Sequence, residues 1–234
     1  MSGRRPPARP AGWIGYEAGD EPRVPLTSRR IVETAVAQVD EHGLAALSIR
    51  PLAAALGVTP MAIYGHVSGK EHLLDLMLDL VLGEVDLEVA EPASEGADPL
   101  LQARVLIVRV SRVFERHRGM ARIYGGSVVI GPNGLKVIDA VMGHLLAAGF
   151  DPQEAAAAFM ALYTFTMGHH QIGGVAGPEH ALTALAPDQV PHVTAAGRHL
   201  FAGASRAERF EHGLDLMLAG LRASRVRRAP APRR

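Results

Sequence analysis

Apolar residues recur at helical spacing through most of the chain, and they divide it into elements before any composition is considered. Ile31, Val32, Ala35, Val36 and Val39 fall on one stripe and predict a helix over residues 28–42, with Ser28 as its N-cap and Gly43 as its stop. Leu73, Leu74, Met77, Leu78 and Val81 predict another over 70–85, introduced by Ser68 and Gly69. Leu101, Val105, Val108 and Phe114 place a third stripe in 100–118, with Arg104, Arg109, Arg112, Arg116 and Arg118 on its other sides as a solvated face. Leu135, Ile138, Val141, Met142 and Leu145 predict a helix over 134–148 closed by Gly149. Asp151-Pro152-Gln153-Glu154 is a helix start: an N-cap, a first-turn proline and an acidic first turn, leading to about Gln171. Leu214, Met217, Leu218 and Leu221 mark a last helix that begins at Ser205 or Ala207.

Between these lie stretches with no stripe. Residues 1–25, rich in Pro, Gly and Arg, read as a disordered basic arm. Such an arm either touches the minor groove of DNA or is a solvated tail. Residues 123–130 are too rich in glycine to assign. The segment 173–206 reads as a long irregular connection with a short helix in it. Pro92, Gly96 and Pro99 break an acidic linker. The expected organisation is an arm at 1–25, a head at 26–85, a linker at 86–99, a body at 100–224 and a basic tail at 225–234.

The most specific stretch is LSIRPLAAALGVTPMAIYGHVSGK, residues 47–70. Ser48 offers a hydroxyl at the mouth of a short helix, and Pro51 fits a first turn that has no N–H bond to lose. Gly57 can turn left-handed after Leu56, and Val58 can tuck into the core. Thr59 is a second N-cap and Pro60 a second first-turn proline, so a new helix runs through Tyr64 towards Val67. Two short helices at a tight turn form a helix-turn-helix, which presents the N-terminal end of its second helix to the DNA major groove. Ile63 and Val67 read as core, leaving Thr59, Pro60, Met61, Ala62, Tyr64, Gly65 and His66 for DNA.

These residues also resemble a family. EHGLAALSIRPLAAALGV, the Tyr64-Gly65-His66-Val67 box and Lys70-Glu71-His72-Leu73-Leu74 are similar to the DNA-binding domain of the tetracycline-repressor (TetR) family. The closing run from Arg209 to Leu221 resembles the end of a regulatory domain found in that family. The resemblance implies that Ser48, Arg50, Tyr64, His66 and Lys70 hold phosphates, with Thr59, Pro60, Met61, Ala62 and Gly65 nearest the bases. Pro51 and Gly65 depart from the commoner basic and bulky residues at their positions. Pro, Met and Ala carry no base-edge hydrogen-bonding group, so specificity leans on thymine methyls and DNA shape. The resemblance further implies an effector cavity in the body, approached by Val108, Met142, Phe159, Tyr163 and His169. It also implies a homodimer, with Ala155, Ala156, Ala158, Gly168 and Gly220 permitting close approach of the last two helices to their copies.

Composition adjusts this picture in few places. Of 234 residues, 48% are hydrophobic and only 5% aromatic, which favours an all-α fold of closely packed helices. With no cysteine, disulfides and thiol catalysis are excluded. No signal-peptide core and no run of roughly 18 apolar residues occurs, so a cytoplasmic protein with no membrane partner is expected. The formal net charge is zero. Arg and Lys are nonetheless gathered locally, and Glu33, Asp40, Glu41, Asp75 and Asp79 offset Arg29, Arg30, Arg50 and Lys70 in the head, so weak non-specific DNA binding is expected.

Eleven histidines raise metal or acid–base chemistry. No His-Glu-x-x-His pair and no phosphate loop is present, so no cofactor or metal is expected. His169 and His170 are adjacent on a helix and point about 100° apart, so both cannot ligate one site undistorted. Either one faces the effector cavity or both are satisfied at a helix contact. The expected function is a regulator, most often a repressor, that leaves a palindromic operator when a small-molecule effector binds. A histidine-dependent enzyme on a helical scaffold, or an effector-independent DNA-binding protein, are the alternatives.

Overall fold

Why this chain becomes helices is visible at their ends. The computed structural model describes residues 25–88, 96, 98–123, 131–172, 186–200 and 204–228, and within these the secondary structure is helical. The expectations for 1–24, for 124–130, for 173–185, for 89–95 and 97 of the linker and for 229–234 of the tail concern residues outside that set.

Helix α1 spans Ser28–His42, and its N-cap is Thr27, whose side chain accepts from Arg30 N; Ser28, expected as the cap, is the first helical residue. A short 3₁₀ turn, Leu44–Ala46, leads to α2, Ile49–Leu56. Ser48 has the extended backbone of an N-cap but makes no side-chain capping bond. Gly57 follows at φ 68, ψ 30. Its left-handed turn lets Gly57 N–H reach Ala54 O and Val58 N–H reach Ala53 O, which satisfies carbonyls the helix end would orphan. Helix α3 is Pro60–Tyr64, capped by Thr59. It is shorter than expected because Gly65 to Val67 close as a turn, with His66 N–H and Val67 N–H both bonded to Ile63 O.

Helix α4, Lys70–Leu82, ends three residues before the expected Val85. Helix α5, Pro99–Arg116, is capped by Asp98, which accepts from Leu100 N and Leu101 N, so Pro99 opens the helix and does not belong to the linker. Short α6, Met120–Ile123, precedes α7, Pro132–Ala147, and α8, Pro152–Gln171. The expected capping box is present: Glu154 N–H donates to Asp151 and Asp151 N–H to Glu154. Helix α9, Pro191–Ala196, is the short helix expected within 173–206, and α10 is Arg206–Arg228. Ser205 and Glu208 cap its start reciprocally, at 2.6 and 3.2 Å.

Two buried clusters hold these helices. The first gathers Ile31, Val36, Leu52, Ile63, Leu73, Met77 and Val81 of the head, and it continues without a break into Val110, Val113, Phe114, Met120, Val137 and Met167. Head and body therefore share one core. The second cluster joins Leu106, Val108, Val141, Leu145, Phe150, Leu162, Phe210, Leu214 and Leu218 of α5, α7, α8 and α10. The stripes expected on α5 and α7 are partly right: Val108, Phe114, Val141 and Leu145 are buried, but Leu101 and Leu135 are exposed, and Leu106, Ile107, Val110 and Val137 are buried as well. Both helices pack on more than one side, so a single stripe does not describe them.

Polar bridges complete the frame. Arg104 of α5 reaches Asp215 at 2.5 Å and Glu211 at 3.0 Å on α10. His117 Nδ1 lies 2.6 Å from Asp40 of α1 and its Nε2 3.1 Å from Glu84, which Arg116 also contacts at 2.9 Å. Burial opposes the Glu84 charge, but the Arg116 and His117 hydrogen bonds prevail and hold its carboxyl below the ordinary value.

Candidate nucleic-acid interface and body pocket

The turn at Gly57 orients α3 so that Ile63 (0% exposed) and, just beyond, Val67 face the core, which leaves the opposite side in solvent. On that side Met61 is 77% and Tyr64 51% exposed, both unusual for large apolar or aromatic residues. Thr59, Pro60, Gly65 and His66 are exposed beside them, and Ala62 is half-buried. Thr59 Oγ1 accepts from Ala62 N at 3.4 Å. Ser48 and Arg50, at the start of α2, and Lys70, at the start of α4, are exposed as well. Lys70 Nζ donates to Leu47 O at 3.3 Å, which positions the ammonium at the mouth of α2. His66 Nδ1 lies 3.4 Å from Ser28 Oγ, tying the recognition segment to the start of α1. Every residue expected at the DNA surface is thus at least partly open to solvent.

The body contains a small, partly open pocket of about 40 Å³. Leu82 of α4, Phe114 of α5, Gly134, Val137 and Val141 of α7, and Phe159, Tyr163, Thr166 and Met167 of α8 are among its walls. Among the described residues no charged side chain lines it. Thr166 spends its hydroxyl on Leu162 O at 2.8 Å. Of the residues expected near an effector cavity, Phe159 and Tyr163 line this space, with their rings stacked 6.1 Å apart. Val108 and Met142 do not line it; Val108 is buried in the second cluster and Met142 packs against it. His169 does not either. Hydrophobic spacing marks both helix sides as apolar and carries no signal that separates wall from core.

His169 and His170 sit in the last turn of α8 against Phe210 of α10, with ring centroids 5.0 and 6.1 Å away. His170 Nε2 and Ser111 Oγ share a hydrogen bond at 2.9 Å, a pairing that no sequence spacing announces. Burial foremost, then the nearby Arg206 and Arg209, pushes His169 down to about 4. Burial, then His169 and Arg206, does the same to His170. Both rings are therefore uncharged at neutral pH. A catalytic histidine paired with a carboxylate shifts the other way, and no carboxylate contacts His170 among the described residues. Ser111 thus satisfies His170, whereas Nε2 of His169 is buried with no hydrogen-bond partner among the described residues. Among the described residues no group of three or more His, Asp or Glu gathers in a way that could hold a metal ion, and no helix is long and apolar enough to cross a membrane.

Outside the head, exposed large apolar residues include Leu101 of α5, Leu135 and Leu146 of α7 and Ile172, and on α8 and α10 Met160 is 53% and Leu216 62% exposed. Ala156 and Gly220 are exposed there and Gly168 is half-buried. Ala155 (0%) and Ala158 (4%), expected at a dimer contact, are instead buried inside the chain's own second cluster.

A helix-turn-helix head sharing its core with a helical body that holds an internal pocket defines a DNA-binding transcriptional regulator. Residues 31–77 match the family model for bacterial regulatory proteins of the tetR family, and residues 102–225 match that for the tetracyclin repressor-like C-terminal domain. An HTH-type transcriptional regulator of Saccharopolyspora erythraea is 30% identical, with 92% of each chain covered. Crystal structures of ActR from Streptomyces coelicolor superpose at 32% identity. The apo form has a TM-score of 0.78 over 88% of this chain and 99% of that one; the complex with actinorhodin has 0.76 over 86% and 99%. The chain belongs to the TetR family of transcriptional regulators.

Proposed function

We propose that two copies of this chain bind an inverted-repeat operator, repress transcription from it, and release it when an uncharged, largely apolar small molecule fills the body pocket. The observation that carries this is the pocket wall. It includes Leu82, the last residue of α4, so the space is bounded by the helix that begins at Lys70 beside the DNA-facing surface. A wall with no charged side chain disfavours a buried charge, because nothing there offsets desolvation. The actinorhodin complex of ActR supports a small organic effector for a body of this fold.

At about 40 Å³ the space holds roughly one to three waters, far less than an effector needs. Binding must therefore push the walls apart. A ligand shifts the head only by as much as its affinities for the two states differ. Thr59, Pro60, Met61, Ala62 and Gly65 face the bases; Ser48, Arg50, Tyr64, His66 and Lys70 hold phosphates. The exposed face of α8 and α10, with Met160 and Leu216, pairs with its copy across a two-fold axis and sets the separation of the heads. The protein acts in the cytoplasm.

The test is selection of random duplex DNA on the purified chain at fixed salt. The expected product is an inverted repeat whose half-sites lie roughly 34–36 Å apart or a multiple of that. Enrichment of a single asymmetric site would remove the two-fold arrangement, and no enrichment would remove the operator.

A further inference from the structure

Helix α7 begins without a cap of its own. Gly131 stands at the N-cap position with no side chain to accept the first N–H groups, and Asn133 N and Gly134 N instead donate to Asp79 Oδ1 of α4, at 2.9 and 3.0 Å. In return Asn133 Nδ2 donates to Asp79 O at 3.1 Å. A carboxylate supplied by another helix thus does what a Ser or Asp before α7 ordinarily does. The approach is close enough to require glycine: a Cβ on Gly131 would lie 2.4 Å from Asp79 Cγ. The same turns border the pocket, since Gly134 and Leu82 both line it.

We propose that this borrowed cap is the coupling device of the regulator: Asp79 fastens α7 to α4, so an occupant that moves the first turn of α7 moves the DNA-bearing head with it. The proposal rests on the pocket being the effector site and names the residue through which its filling is transmitted. Three features direct the motion there. Val137, Ile138 and Val141 place one face of α7 on the pocket, so an occupant must press on that helix. The opposite wall is braced, because α5 is held to α10 by Arg104 and its two carboxylates, and α8 by the stacking of Phe165 on Phe210 at 5.4 Å. A capping carboxylate also follows the N–H groups it binds, because leaving them unpaired inside the protein is costly.

The effector is unidentified, so a larger side chain serves as the occupant. Val137→Phe, in the protein with Asp79, is expected to weaken affinity for the selected operator by about tenfold, a usual coupling between two sites. With Asp79→Ala the same change is expected to weaken it by less than about threefold, since non-additivity of this kind marks residues acting through one another. Asp79→Asn, whose Oδ1 still accepts N–H bonds, restores the larger loss. Melting curves accompany each variant, and Ile138→Phe replaces Val137→Phe if that protein fails to fold. Equal losses with Asp79 and with Asp79→Ala would overturn the coupling role and leave the pocket as effector site intact. No loss from either enlarged side chain would overturn both.

Discussion

Tyr64→Ala and Lys70→Ala are each expected to weaken binding to the selected operator by about tenfold, the loss of a charge-assisted or well-placed hydrogen bond to the backbone. The two losses should differ in kind. Lys70 carries a charge, positioned by its bond to Leu47 O, and its removal should lower the slope of log affinity against log salt by about one. Tyr64 is neutral and 51% exposed, so its removal should leave that slope unchanged. Both are surface residues, and the melting temperature should move little. Fluorescence anisotropy over a salt series separates the two effects. An unchanged affinity in both variants would mean that α3 does not dock in the way its exposed face suggests.

The second large effect is on stability. Phe114→Ala is expected to cost about 3–5 kcal/mol, the range for removing an aromatic ring from a core. Phe114 is 1% exposed and belongs to the cluster that joins head to body, lies 5.7 Å from the His170 ring, and forms part of the pocket wall. For a chain of this size that cost lowers the melting temperature by on the order of 10 °C. Phe114→Leu, which retains most of the volume, should cost about 1.5 kcal/mol or less. Thermal melting followed by circular dichroism reads both. A loss below about 1 kcal/mol for Phe114→Ala would show that head and body do not depend on a shared core.

The head was far more legible in the sequence than the body, and the reason is local. Thr59-Pro60, Gly57 and Asp151-Pro152-Gln153-Glu154 act through the backbone of their immediate neighbours, so their roles follow from spacing alone. The Lys70 helix and the inward Ile63 and Val67 likewise needed only a stripe or a turn. What the sequence did not disclose depends on contacts between distant segments. Asp79 capping α7, Ser111 meeting His170 and His117 standing between Asp40 and Glu84 join residues far apart in the chain, and no periodicity encodes such pairs. The pocket was hidden for a related reason. Val108 and Val110 are both buried on α5, yet only Val110 reaches the cavity, a distinction made by how α5 is rotated against α7 and α8. Position along α8 also proved a poor guide to its role, since Ala155 and Ala158 serve the chain's own core while Met160 faces outward.

Release measures the central claim most directly. A labelled duplex bearing the selected inverted repeat, held by the purified protein at fixed salt, would be titrated with a panel of uncharged aromatic small molecules and with charged analogues of the same size. The pocket wall predicts that members of the uncharged set displace the protein, that the charged set does so far less well, and that Val137→Phe abolishes the difference. A protein that binds such molecules without releasing its operator would contradict the account, and so would release driven equally by the charged analogues.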